Sequence, residues 1–157
     1  MKAFVSYSVS DNNEYILTLL SLKLRENGFV VNTSQNFYNN ILDYNTMNEI
    51  NESHLFISII TSGGSERKRV IQEWEYAASR NIPNILLIED NVSVNQDFTG
   101  NYIRFNRRNP QPAIQEINKR MSQNQQLTPT KTNDIVPWIL GGTALLAILT
   151  LFSSEKK

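Results

Sequence analysis

Cysteine is absent from this chain of 157 residues, and histidine occurs once, as His54. The first absence excludes disulfide frameworks, thiolate zinc sites and cysteine nucleophiles. The second excludes triads that need another imidazole, and multi-histidine metal sites, so no metal is expected. An excess of one charge is missing too: Lys+Arg and Asp+Glu are both 15, giving a formal net charge of +0. No global basic surplus exists to neutralise phosphates, and no nucleic-acid partner is expected. Neither G-x-G-x-x-G nor G-x-x-x-x-G-K-[ST] occurs, so no nucleotide fingerprint is present. The opening MKAFVSYSVSD lacks the long apolar core of a signal peptide.

What is present is enough apolar material for a packed globule: 40% hydrophobic against 19% charged residues. It is unevenly spread. Ile135 to Phe152, IVPWILGGTALLAILTLF, is 18 residues without a charge, and as a helix it would reach roughly 27 Å, close to a bilayer core. Trp138 near one end and Lys156–Lys157 beyond the other suit the two interfaces. A buried terminal helix is the alternative, but no comparable apolar surface remains to cover all its sides. The expectation is a single-pass C-terminal anchor over 135–152 with a short tail, 153–157. Lys119, Arg120 and Lys131 before the span lean toward a cytoplasmic N-terminal domain. Ser122 to Asp134, SQNQQLTPTKTND, is polar and reads as a flexible linker. The domain is then 1–121.

Within it, strand-like and helical patterns alternate. Ala3–Ser6, Phe29–Asn32, His54–Ile60, Asn84–Glu89 and Tyr102–Phe105 read as strands. Asp11 with Glu14 resembles a capping box, and Ile16, Leu17, Leu20 and Leu24 then form a helical stripe ending at Gly28. Thr46 with Glu49 suggests a cap before a brief second helix. Ser65 can cap a third from about Glu66 to Arg80, ended by Asn81, and Pro112 starts a last helix through Ile114, Ile117 and Met121. Alternation of this kind predicts an α/β fold, a flavodoxin-like five-stranded parallel sheet with helices on both faces. Ligands of such sheets bind beyond the carboxyl ends of the strands. Those ends offer Ser6–Tyr7–Ser8, Thr33–Tyr44 and Thr61–Ser65, where a phosphorylated receiver would need acidic residues.

Four segments in order are similar to the Toll/interleukin-1 receptor (TIR) domain, particularly its bacterial branch. F-V-S-Y-S followed by Asp11 resembles its first strand and loop. R-E-N-G-F leads to the second strand, and Ser34–Tyr44 occupies the position of its BB loop. I-N-E-S-H-L-F-I-S-I-I-T resembles its helix B and third strand. S-E-R-K-R-V-I-Q-E-W-E-Y-A-A-S-R-N-I-P-N-I-L-L-I resembles its "S…W-V-x-x-E-x-x-x-A" helix and fourth strand. The resemblance covers Lys2 to about Met121. It places Glu73 at the family's catalytic glutamate, with Ala77 four residues on; Val70 stands near the usual Trp-Val pair, while the Trp here is Trp74.

The resemblance implies a membrane-anchored NAD⁺ glycohydrolase with NAD⁺ as substrate and no cofactor, activated by self-association through TIR–TIR contacts, in bacterial antiphage defence. A single carboxylate suffices for that chemistry. Nicotinamide leaves NAD⁺ as a neutral amide, so no acid must protonate it, and an anion stabilises the oxocarbenium-like ribosyl centre. Water attack gives ADP-ribose; an internal nucleophile gives a cyclic product. Ser6, Tyr7, Ser8 and Ser62 would line the nucleotide site, or form polar strand-end loops. Phe37 and Tyr38 would stack on a base or a neighbouring protomer, or cover core. The Arg67–Lys68–Arg69 run would attract phosphates or form a solvated face, and His54 is structural. Without the resemblance, Glu73 reads as a surface carboxylate paired with Arg69 or Arg80. Glu75 points about 200° round the same helix. Two other readings remain: a non-catalytic module recruiting another TIR protein to the membrane, and a nucleoside deoxyribosyltransferase-like enzyme.

Overall fold

The computed structural model describes residues 1–8, 13–34, 41–63, 66–94, 96 and 100–125. Five strands and four helices follow one another as β1 (Lys2–Ser6), α1 (Glu14–Glu26), β2 (Val30–Thr33), α2 (Tyr44–Asn51), β3 (Leu55–Ile60), α3 (Arg67–Ser79), β4 (Asn84–Glu89), β5 (Ile103–Phe105) and α4 (Gln111–Gln125). The sheet is parallel throughout, in the order β2-β1-β3-β4-β5. This is the doubly wound, flavodoxin-like order, whose chain reverses direction across the sheet between β1 and β3.

Side-chain alternation along the strands divides the interior into two cores. Ala3, Val5, Leu55, Ile57, Ile59, Ile85 and Leu87 face α1 and α4. Phe4, Phe56, Ile60, Leu86 and Ile88 face α2 and α3, with Trp74 fully buried among them. Phe4 and Phe56 stack with ring centroids 5.7 Å apart. The helices present matching stripes, Ile16, Leu20 and Leu24 on α1 and Val70, Trp74 and Ala77 on α3. β3 and β4 are buried along their whole lengths, as central strands covered on both faces must be.

The helix ends follow backbone chemistry more than the expected caps. α2 begins at Tyr44, earlier than the Thr46–Glu49 pattern suggests, because Asp43 accepts the Thr46 N–H at 2.8 Å. α1 starts after Asn13, whose side chain makes no capping bond, and Asp11 and Ser65 lie outside the described residues. α1 and α3 end alike. Phe29 N–H donates to Leu24 O at 3.0 Å past Gly28, and Ile82 N–H to Ala77 O at 3.1 Å past Asn81. The intervening Gly28 and Asn81 have φ of 78° and 55°, the left-handed turn of a Schellman cap. α4 runs to Gln125, past the point where composition turns polar. No helix among the described residues is long and apolar enough to cross a membrane; the 135–152 segment lies outside them.

Candidate functional site

The end of β1 and one face of α3 are joined by three consecutive contacts. Ser6 Oγ donates to Glu73 Oε2 at 2.5 Å. Arg69 Nη2 donates to the Tyr7 carbonyl at 2.7 Å. Ser8 Oγ donates to Glu66 Oε2. Residues 6, 7 and 8 thus run along 73, 69 and 66 in opposite senses. Helical geometry explains part of the spacing: positions four apart share a face, so Arg69 and Glu73 form a polar stripe beside the apolar stripe of α3, and Glu66, the N-cap residue just before the helix, extends it. Arg69 also donates through Nη1 to Glu73 Oε1 at 2.8 Å. Glu73 is 0% exposed and Arg69 1%. Each Glu73 oxygen therefore has its own donor.

The stripe meets the carboxyl end of β1, and ligands of doubly wound sheets bind beyond the carboxyl ends of the strands. Ser6 ends β1 and stands in register with Ser58 of β3, so the switch point between these strands lies under the middle of α3. The Ser58 hydroxyl is buried and has no hydrogen-bond partner among the described residues. Glu66, Arg69 and Glu73 together carry a formal charge of −1. An ion pair withdrawn from water this completely is costly to break, since removing either partner strands the other charge.

Of the residues singled out in the sequence, Ser6, Tyr7 and Ser8 are brought onto α3 with Glu73. Ser62 is not. Its N–H donates to Glu89 Oε2 at 3.1 Å and its hydroxyl accepts from Asn91 at 2.8 Å. Arg107 closes this second cluster with a two-pronged bond to Glu89, at 2.9 and 2.8 Å. Phe37 and Tyr38 lie outside the described residues. The Arg67–Lys68–Arg69 run is split by burial: Lys68 is exposed and Arg69 interior. Arg80 lies over the Tyr76 ring at 5.2 Å. Trp74 is core, and its indole N–H has no partner among the described residues. His54 accepts the Lys2 N–H at 3.2 Å and so supports the start of β1.

Glu75 faces elsewhere, into a groove of about 460 Å³ lined by Ile41, Leu42, Gln72, Tyr76 and Ser79. Burial there pushes its carboxyl above the usual range. Among the described residues no three acidic or histidine side chains converge as metal ligands.

Glu66 is the site residue that sequence reasoning passed over. The signal was there, in charged residues at i, i+3 and i+7 of a predicted helix. No family model and no curated protein matches this chain.

Proposed function

We propose that this chain is a TIR-type NAD⁺ glycohydrolase in which Glu73 stabilises the ribosyl cation formed as nicotinamide departs. The observation that carries the reading is the placement of Glu73: a carboxylate on α3, bonded to the last residue of β1 at 2.5 Å, beside the switch point where doubly wound sheets take their ligands. The net negative stripe suits a substrate whose reacting end is a cation. Nicotinamide leaves neutral, and water or an internal nucleophile completes the exchange, giving ADP-ribose or a cyclic product.

In the resting protomer Glu73 is covered, so turnover requires the site to open. Self-association is the proposed trigger, and the 135–152 segment, as a membrane anchor, would favour it by concentrating copies in two dimensions. Antiphage defence is the setting this reading implies.

The complete burial of Glu73 favours a second reading, a non-catalytic TIR module that recruits a partner at the membrane. One experiment separates the two. NAD⁺ loss and product identity are followed for the full chain crowded on liposomes, beside Glu73→Gln and Glu75→Gln. Turnover abolished by Glu73→Gln alone supports the enzyme. No turnover at any density supports the recruiting module.

A further inference from the structure

Acidic side chains withdrawn from solvent in this protein have donors, with one exception. Among the described residues Asp43, Glu49, Glu66, Glu73, Glu89 and Glu116 each accept a hydrogen bond. Glu75 is half-buried and accepts none; its Oε1 is shut off from water without a hydrogen-bond partner. Burial is the cause of its raised carboxyl pKa, with no cation beside it to oppose the rise. Gln72, three residues earlier on the same face of α3, repeats the pattern, since its Oε1 is also buried and without a partner. Arg80, the residue that closes α3, lies over the Tyr76 ring.

Glu75 and Gln72 line one groove of about 460 Å³, whose other walls include Ile41, Leu42 and Tyr76. Two acceptors held away from water with nothing donated to them cost the folded chain free energy that a bound donor would return. One of the two is charged and the walls are apolar, so the complementary group is a cation on an apolar stem. The terminal torsions of Glu and Gln are broad, and a planar guanidinium can donate to both side chains at once. An ammonium, compact and strongly hydrated, fits this arrangement less well.

The groove is open along Ile41, which is 73% exposed. It therefore suits a side chain carried on a larger surface better than a free small molecule, which a pocket would enclose. Every arginine of this chain lies among the described residues, so no other segment of the chain can supply the guanidinium.

We propose that the groove between α3 and the residues just before α2 docks an arginine side chain of a partner protein, with Glu75 and Gln72 as its acceptors. The groove is separate from Glu73, which points about 200° away round α3, and the proposal does not depend on NAD⁺ turnover.

The test titrates acetyl-arginine methylamide, and its citrulline and lysine counterparts, into the full chain in detergent micelles. Amide chemical shifts at Ile41, Gln72, Glu75 and Tyr76 report binding. Citrulline keeps the shape of arginine without its charge. The expected result is a saturable shift with the arginine probe, about tenfold weaker binding of the citrulline probe and several-fold weaker binding of the lysine probe. Glu75→Gln should weaken the arginine probe by about tenfold and Gln72→Leu by about threefold. Both variants are checked against the parent spectrum away from the groove, which separates lost binding from a lost fold.

A shift that does not saturate, equal affinity for the three probes, or parental affinity in Glu75→Gln overturns the site. Sedimentation of the full chain without a probe tests the remaining occupant. A dimer that Glu75→Gln dissolves places an arginine of a second copy in the groove and overturns the partner protein; a size unaffected by Glu75→Gln supports it.

Discussion

Ser6 and Glu73 are 67 residues apart in sequence, and the Ser6 hydroxyl donates to Glu73 Oε2 at 2.5 Å inside the protein. The bond joins the first strand to the middle of the third helix, and Arg69 meets the other carboxylate oxygen at 2.8 Å. Hydrogen bonds to a charged group are worth about 1.5–3 kcal/mol. Ser6→Ala should therefore lower unfolding free energy by about 2 kcal/mol, seen as a lower urea midpoint at an unchanged slope.

The ion pair should show strong non-additivity. Arg69→Met leaves a buried carboxylate uncompensated and should cost about 3–5 kcal/mol. Arg69→Met with Glu73→Leu removes both charges and should cost less than Arg69→Met alone, because apolar replacement of a buried pair is often near neutral. Urea titration of the two variants checks this. A double variant as unstable as Arg69→Met would deny the pairing its energetic role.

Glu75 predicts a pH dependence. Desolvation raises its folded-state carboxyl pKa above the ordinary 4.5, so folding favours the protonated form. The folded state then holds more proton than the unfolded one, and this residue's contribution falls as pH rises through the two values. Glu75→Gln should stabilise the protein near neutral pH and lose that advantage below the ordinary carboxylate range. Denaturation midpoints at both ends of the range report the difference.

Asn81 closes α3 with φ of 55°. A side chain with a Cβ costs about 1–2 kcal/mol there unless it is Asn or Asp. Asn81→Ala should destabilise by about 1 kcal/mol while Asn81→Gly stays close to the parent, as thermal unfolding would record.

The order of elements was legible because the strands are apolar runs and the helices carry stripes at their own period. Asn84–Glu89 has the bounds its composition suggests. Helix starts were less legible. The residues that cap in space are not always the best capping residues in sequence, and Asp43 displaced Thr46 as the start of α2. Glu73 was singled out through a resemblance, and its pairing with Arg69 was legible from i,i+4 spacing. Its burial was not, since nothing local to α3 announces that Ser6 and Tyr7 arrive to cover it. Ser62 stands apart from the Glu73 cluster for the same reason: a strand end places a residue near the ligand edge of a sheet without deciding which neighbour claims it. Here Glu89 does.

β1 is paired on both sides, with β2 through Lys2–Val5 and with β3 through Ala3–Ser6. Slipping the strand by one residue would turn every side chain to the opposite face. Phe4 would leave Phe56, and Val5 or Tyr7 would replace the Ser6 hydroxyl opposite Glu73. A mispaired sheet could then receive α3 only by enclosing a carboxylate short of its donor. The charge therefore acts as a checksum on register: α3 can enclose Glu73 with both of its donors only where β1 is in its native alignment.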